Sequence, residues 1–172
     1  QKSFDQPLDY NDTTISFDVL VTETDGSNFE MAAYGINADD EYVPVFDLAF
    51  DYSGTLKVVS SVDYDMDDTG TEWQSNQWYS VVVKVSTNEI KYFIDGTLIY
   101  TTPNFTQINL LGMNFLHDNY GGDAYIDNIK INETNMAVNN VKKGNIAVYP
   151  NPVKSSLNFN LPHGEAVSVI RI

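Results

Sequence analysis

The sequence predicts an all-β sandwich. Three features predict it: apolar and polar residues alternate in short runs, turn residues recur at intervals near ten, and helical spacing is almost absent. The opening alternation is Ile15, Phe17, Val19 and Val21, which share one strand face. Val43 to Phe50 and Thr55 to Met66 read as strands separated by the turn Tyr52-Ser53-Gly54. In the second of these, Val58, Ser60, Val62, Tyr64 and Met66 are expected on one face and Asp63, Asp65 and Asp67 on the other, a charged outer face that discourages edge pairing. Trp78 to Val85 follows, then Thr87-Asn88 as a tight connection and Ile90 to Ile94. Asp95-Gly96 is a strong hairpin signal, with Thr97 to Thr101 as the return strand. Leu110 to Leu116 and Ala124 to Ile131 close the set. The chain of 172 residues suffices for one such domain and a small appendage. With 42% hydrophobic and 13% aromatic residues it reads as a folding sequence.

Two stretches carry a family resemblance. Asn76-Gln77-Trp78-Tyr79-Ser80-Val81-Val82-Val83-Lys84-Val85, continued by Ile90-Lys91-Tyr92-Phe93-Ile94-Asp95-Gly96-Thr97-Leu98-Ile99, resembles the central hairpin of laminin-G-like and pentraxin-like domains. These belong to the concanavalin A-like jelly rolls. Gly121-Gly122-Asp123-Ala124-Tyr125-Ile126-Asp127-Asn128-Ile129-Lys130-Ile131 is similar to the closing strand of such domains. The resemblance spans about residues 4 to 133 and implies a LamG-like jelly-roll sandwich with Trp78 in its core. The galactose-binding-like jelly roll is the rival; the Trp-to-Gly hairpin favours the first.

A composition break near Thr134 divides the chain into a sandwich at 1–134, a polar linker at 135–144 and a β segment at 145–172. The last contains Ile146-Ala147-Val148-Tyr149, a turn forced by Pro150-Asn151-Pro152, and a strand with Leu157, Phe159 and Leu161 on one face. Its wording, Val148-Tyr149-Pro150-Asn151-Pro152-Val153-Lys154-Ser155-Ser156-Leu157-Asn158-Phe159, closely resembles the start of the C-terminal sorting domain of the type IX secretion system. The segment stops at Ile172, before that domain's later turn. The resemblance implies a secreted or cell-surface bacterial protein that meets the secretion machinery. Gln1-Lys2-Ser3-Phe4 carries neither a starter Met nor a signal-peptide pattern, so the chain reads as an excised or processed piece.

Charge narrows the partners. Residues 1–134 hold 23 Asp and Glu against 5 Lys and no Arg, a net −18. Such a surface repels phosphate backbones, which argues against nucleic acid and anionic lipid. No apolar run approaches the roughly 20 residues of a membrane helix. With no cysteine, disulfides and thiolate chemistry are excluded.

No nucleophile–base pair assembles: His117 and His163 lie in different segments. Glycosidases of the concanavalin A-like fold commonly show Glu-x-Asp-x-x-Glu along a strand, and that spacing is absent. Glu30 and Asp47 are carboxylates with a chance of facing a groove, though nothing in the sequence selects them. The expectation is therefore a non-catalytic recognition or adhesion module for carbohydrate. The alternative is a structural accessory domain of a secreted peptidase or glycoside hydrolase whose catalytic domain lies upstream. A sugar needs an exposed aromatic beside polar groups, and Trp73, Tyr120 and Tyr34, with Tyr64, are the candidates. Calcium is expected from oxygen donors in Asp118-Asn119-Tyr120-Gly121-Gly122-Asp123 and from Asp127, which alternation places on the core face. An inward carboxylate without Arg needs backbone N–H groups, a hydroxyl or a metal for compensation. On the metal alternative the expected set is Asp127, Asp123 and Asp118, and the resemblance, which implies the N-terminal strand as the neighbour of Asp127, adds Asp12, Asp5 or Asp9.

Overall fold

A computed structural model of the chain describes residues 2–133 and two short strands at 147–149 and 158–160. The chain divides into two compact units, Gln1–Glu133 and Thr134–Ile172. In chain order the first unit forms β1 (Lys2–Leu8), β2 (Asp12–Val21), β3 (Phe29–Ile36), β4 (Tyr42–Phe50), β5 (Thr55–Val59) and β6 (Met66–Glu72). It continues with β7 (Trp78–Ser86), β8 (Glu89–Ile94), β9 (Thr97–Pro103), β10 (Leu110–His117) and β11 (Ala124–Ile131). The second unit contains β12 (Ala147–Tyr149) paired antiparallel with β13 (Asn158–Asn160). Among the described residues no helix is long and apolar enough to cross a membrane.

Two antiparallel sheets face each other. One has the order β1-β10-β3-β4-β5-β6 and the other β11-β2-β7-β8-β9. The core lies where their alternating inner faces meet. From the five-stranded sheet come Ile15, Phe17, Val19, Tyr79, Val81, Val83, Ile90 and Tyr92. From the six-stranded sheet come Phe29, Met31, Phe46, Leu48, Phe50, Leu56, Val58 and Met113, all nearly or fully buried. Each large side chain removed from water contributes about 1.5–3 kcal/mol, so this interior dominates stability. Phe46 and Tyr92 meet edge to face across the sandwich at 6.4 Å. The Asp95-Gly96 hairpin forms as expected, with positive φ at both residues (49° and 78°) and Ile94 opposite Thr97.

Three local expectations fail, each for a physical reason, and two strands escape the sequence pattern. The strand expected from Thr55 to Met66 breaks after Val59 into a turn, so Asp63 and Asp65 are turn residues and not an outer strand face. Trp78, expected in the core, is 49% exposed, because Tyr79, Val81 and Val83 hold the inward parity of β7. Asp127, expected on the core face, is exposed. Register shifts between Asp127 and Lys130, and Asn128 has φ 53°. This irregularity inverts the alternation: Ala124 and Ile126 pack inward before it and Ile131 after it. Finally, β1 and β3 lie outside every stretch that alternation marks, and β3 proves central to the site.

Candidate functional site

The outer face of the six-stranded sheet carries a groove of about 570 Å³, lined by Ala32 and Tyr34 of β3, Tyr42 and Pro44 of β4, Asn114 and Leu116 of β10, and Val62 and Tyr64 of the β5–β6 turn. That volume falls within the range of small-ligand sites. Strand register explains its floor. Asn114 pairs with Ala32, and Ala32 pairs with Asp47, so three consecutive strands place a methyl between two polar side chains. Glu30, two residues along β3 and opposite Leu116 and Ala49, points to the same face.

Asp47 is completely buried on this outward face. Its Oδ2 accepts the Tyr64 hydroxyl at 2.5 Å, whereas its Oδ1 finds no hydrogen-bond partner among the described residues. Asn114 Oδ1 is likewise buried and without a partner. Two orphaned acceptors flanking one methyl on a sheet face are uncommon in folded proteins; of the two residues, Asn114 lines the groove and Asp47 does not. Burial pushes the Asp47 carboxyl up to about 7; the Tyr64 hydroxyl pulls it back, and Glu30 adds to the rise. Glu30 is also raised, first by burial and then by Asp118 and Asp51. The Tyr64 phenol is pushed up by burial and by Asp47.

The turn that breaks the expected strand is what positions Tyr64. Ser60 N–H donates to the Asp65 carbonyl at 2.8 Å, and the Ser61 hydroxyl donates to the Asp65 carboxylate at 2.8 Å. Inside this clasp Tyr64 sits at φ 67°, a conformation unusual for a bulky residue and costing on the order of 1–3 kcal/mol. The opposite wall pairs Tyr34 and Tyr42 edge to face at 5.6 Å, with the Tyr34 hydroxyl 3.4 Å from Ser3 Oγ. Gly35 keeps this wall in place, since a Cβ there would come within 2.6 Å of the Asn109 carbonyl. The lining contains no Lys or Arg. Lys57, on β5, is taken by Asp51 at 2.8 Å.

Of the aromatic candidates, only Tyr34 and Tyr64 line this groove. Trp73, expected as an exposed platform, is 3% exposed: its indole N–H donates to the Asp51 carbonyl at 2.9 Å and its ring meets Phe50 edge to face. Tyr120 is exposed, its backbone N–H bound by Ser27 Oγ, and it lines no part of the groove. The expected metal set does not converge. Asp12, Asp118, Asp123 and Asp127 are all exposed, and among the described residues no three His, Cys, Asp or Glu gather as ligands. Slight desolvation pushes the Asp118 carboxyl up, but hydrogen bonds from Ser27 and from the Asn28 and Tyr120 backbone outweigh it and hold it low. Asp123 N–H is spent on Thr22 Oγ1, and Asp127 accepts the N–H of Asn128. Tyr149 falls in β12; Pro150, Asn151, Pro152 and His163 lie outside the described residues.

No family model matches the chain, and no curated protein matches it. Solved structures do. A sialidase aligns with TM-score 0.59 and 12% identity over 78% of this chain and 14% of its own. Chicken galectin 2 aligns with TM-score 0.57 and 10% identity, covering 75% of this chain and 95% of its own. Galectin LEC-6 of Caenorhabditis elegans gives 0.53 and 15%, covering 76% and 91%. The chain thus spans about one seventh of the sialidase's length and nearly all of the galectins'. At these identities the likeness is one of fold. The first unit is a concanavalin A-like jelly-roll β-sandwich of two antiparallel sheets.

Proposed function

We propose that the sandwich is a non-catalytic carbohydrate-binding module and that its sugar site is the groove on the outer face of the six-stranded sheet. One observation carries this reading: Tyr34, Tyr42 and Tyr64 line a groove whose floor carries Asn114, a side-chain amide whose Oδ1 lacks a partner among the described residues. Sugars present apolar C–H faces that suit aromatic rings and hydroxyl groups that suit a side-chain amide. The galectin-like fold supports the reading without identifying a sugar. Asp47 is fully covered, with Tyr64 bonded to it, and so has no open path to a scissile bond; Glu30 alone makes no acid–base pair. A glycan array of wild type and Asn114→Ala tests the proposal. Retention of at least one glycan class, lost in the variant, is expected; a wild type that retains none contradicts it.

A second reading is favoured by the sialidase alignment, in which a chain like this one forms a small part of a larger protein. On that reading the sandwich serves as an accessory domain beside a catalytic domain in the parent. Export by the type IX route to the medium or cell surface is proposed on the Tyr149-Pro150-Asn151-Pro152 wording alone. It fails if the parent is found in the periplasm equally in wild-type and type IX-deficient cells.

A further inference from the structure

The outer face of the five-stranded sheet carries a row of side chains that the groove does not use. Tyr125 of β11, Leu20 of β2 and Trp78 of β7 are direct register partners across three adjacent strands. We propose that this row is a second glycan site, a flat platform for an extended, uncharged β-1,4-linked polysaccharide. It lies on the other sheet from the groove and does not depend on it.

Strand parity turns all three side chains outward. Val19 and Val21 hold the inner face of β2, Tyr79 and Val81 that of β7, and Ala124 and Ile126 that of β11. Tyr125 is left 54% exposed and Trp78 49%, two large rings in water on one surface. Neighbouring strands lie about 4.7–4.9 Å apart, so the two rings rise from backbones about 9–10 Å apart. A β-1,4-linked chain presents the same sugar face at every second residue, over a comparable distance. No strand flanks the row at either end. β11 is the last strand of its sheet, and β8 pairs with β7 only from Val81 to Val85, short of Trp78. A long chain can therefore cross the three strands and continue past both.

A polar row runs beside the first, two residues along each strand. Asp127 lies opposite Asp18, and Asp18 lies opposite Ser80. Pyranose C–H faces suit the rings, while carboxylate and hydroxyl oxygens at their side accept from sugar hydroxyls. Charge and area select among occupants. Asp18 and Asp127, in a region of net −18 over residues 1–134, repel anionic polymers and would repel the same row of a second copy. A stable protein interface buries about 800 Å² and roughly 20–30 residues per partner, far more than three side chains offer. A curved α-linked glucan meets a straight row at one ring only. A short sugar on a flat surface keeps one face in water, whereas a long chain gains contact with both rings at once.

The test is retention of the full chain at neutral pH on insoluble cellulose, on chitin and on starch granules, read as binding isotherms. Retention on cellulose, on chitin or on both is expected, and little on starch. Trp78→Ala and Tyr125→Ala should each weaken it by about tenfold, as expected when a central aromatic anchor is removed. Both side chains are half-exposed, so melting temperatures close to that of wild type are expected and show the fold intact. Tyr125→Phe, which keeps the ring, should bind like wild type, and so should the groove variant Asn114→Ala. Absence of retention on both cellulose and chitin overturns the inference, as does retention that Trp78→Ala leaves unchanged. Equal retention on starch overturns the match to an extended chain. Loss of retention in Asn114→Ala overturns the platform by moving the polymer to the groove. A glycan array that retains nothing overturns the groove reading and leaves this one standing.

Discussion

Two antiparallel strand pairs in this sandwich each bring acidic side chains together, with opposite outcomes. On β2 and β11, Asp18 and Asp127 are direct register partners on an outer face. Water solvates the exposed Asp127, and Asn128 donates to Asp18 at 2.7 Å. On β3 and β4, Glu30 and Asp47 are diagonal neighbours, and Tyr64 bonds the buried Asp47. Like charge is tolerated cheaply at the first place and held under strain at the second. What separates them is desolvation, since Coulomb repulsion grows as the local dielectric falls. A desolvated, half-partnered carboxylate is the kind of feature that binding sites retain.

The largest expected effect is a pH dependence of stability. A carboxyl whose folded pKa lies above its unfolded one favours folding while protonated. For Asp47 that contribution is complete below the unfolded value of 3.8 and is lost as pH rises through about 7. Glu30, also raised, acts in the same direction. Up to about 4 kcal/mol is at stake for Asp47. Denaturant unfolding of wild type across this window should show the loss, and Asp47→Asn should flatten the curve. A wild-type curve no steeper than that of Asp47→Asn would dissolve the contrast between the two strand pairs.

Next in size is Gly35→Ala. The added Cβ meets the Asn109 carbonyl at 2.6 Å, a backbone atom that cannot swing aside. A loss of about 1–3 kcal/mol is expected, with weaker sugar binding as the Tyr34 wall shifts. Tyr64→Phe should cost about 1–2 kcal/mol by leaving Asp47 Oδ2 without its donor. The cost should grow with pH as Asp47 ionises; a pH-independent cost would mean that the phenol acts only by packing. The smallest effect belongs to the other pair. Asp127→Asn should change stability by less than about 0.5 kcal/mol. Chelators should leave its melting temperature and that of wild type alike; a chelator response abolished by Asp127→Asn would instead support the calcium expectation.

Much of the fold was legible because deep strands alternate plainly. Ile15 to Val21 and Val81 to Val85 put β-branched residues on a half-buried surface, and Asp95-Gly96 announced its own turn. The site was harder to read for the reason that makes it a site. β3 reads Phe29-Glu30-Met31-Ala32-Ala33-Tyr34-Gly35-Ile36, and its small residues erase the strand signal. Ala32 leaves room above the sheet, and Gly35 permits the close approach of Asn109. Tyr64 was misplaced because Ser60 to Asp65 alternates like a strand while Ser61 and Asp65 close it as a turn. Asp127 was misplaced because a single register shift inverts parity, which no local pattern announces. Glu30 and Asp47 stood out in neither composition nor spacing; only register put them on one face with Asn114.

The most direct measurement is an amide NMR titration of the labelled chain with a glycan retained on the array. Shifts concentrated at Glu30, Ala32, Tyr34, Tyr64 and Asn114 are predicted. Shifts confined to Trp78, to Tyr120 through Asp123 or to Asp127, with β3 unmoved, would contradict the assignment of the groove as the sugar site.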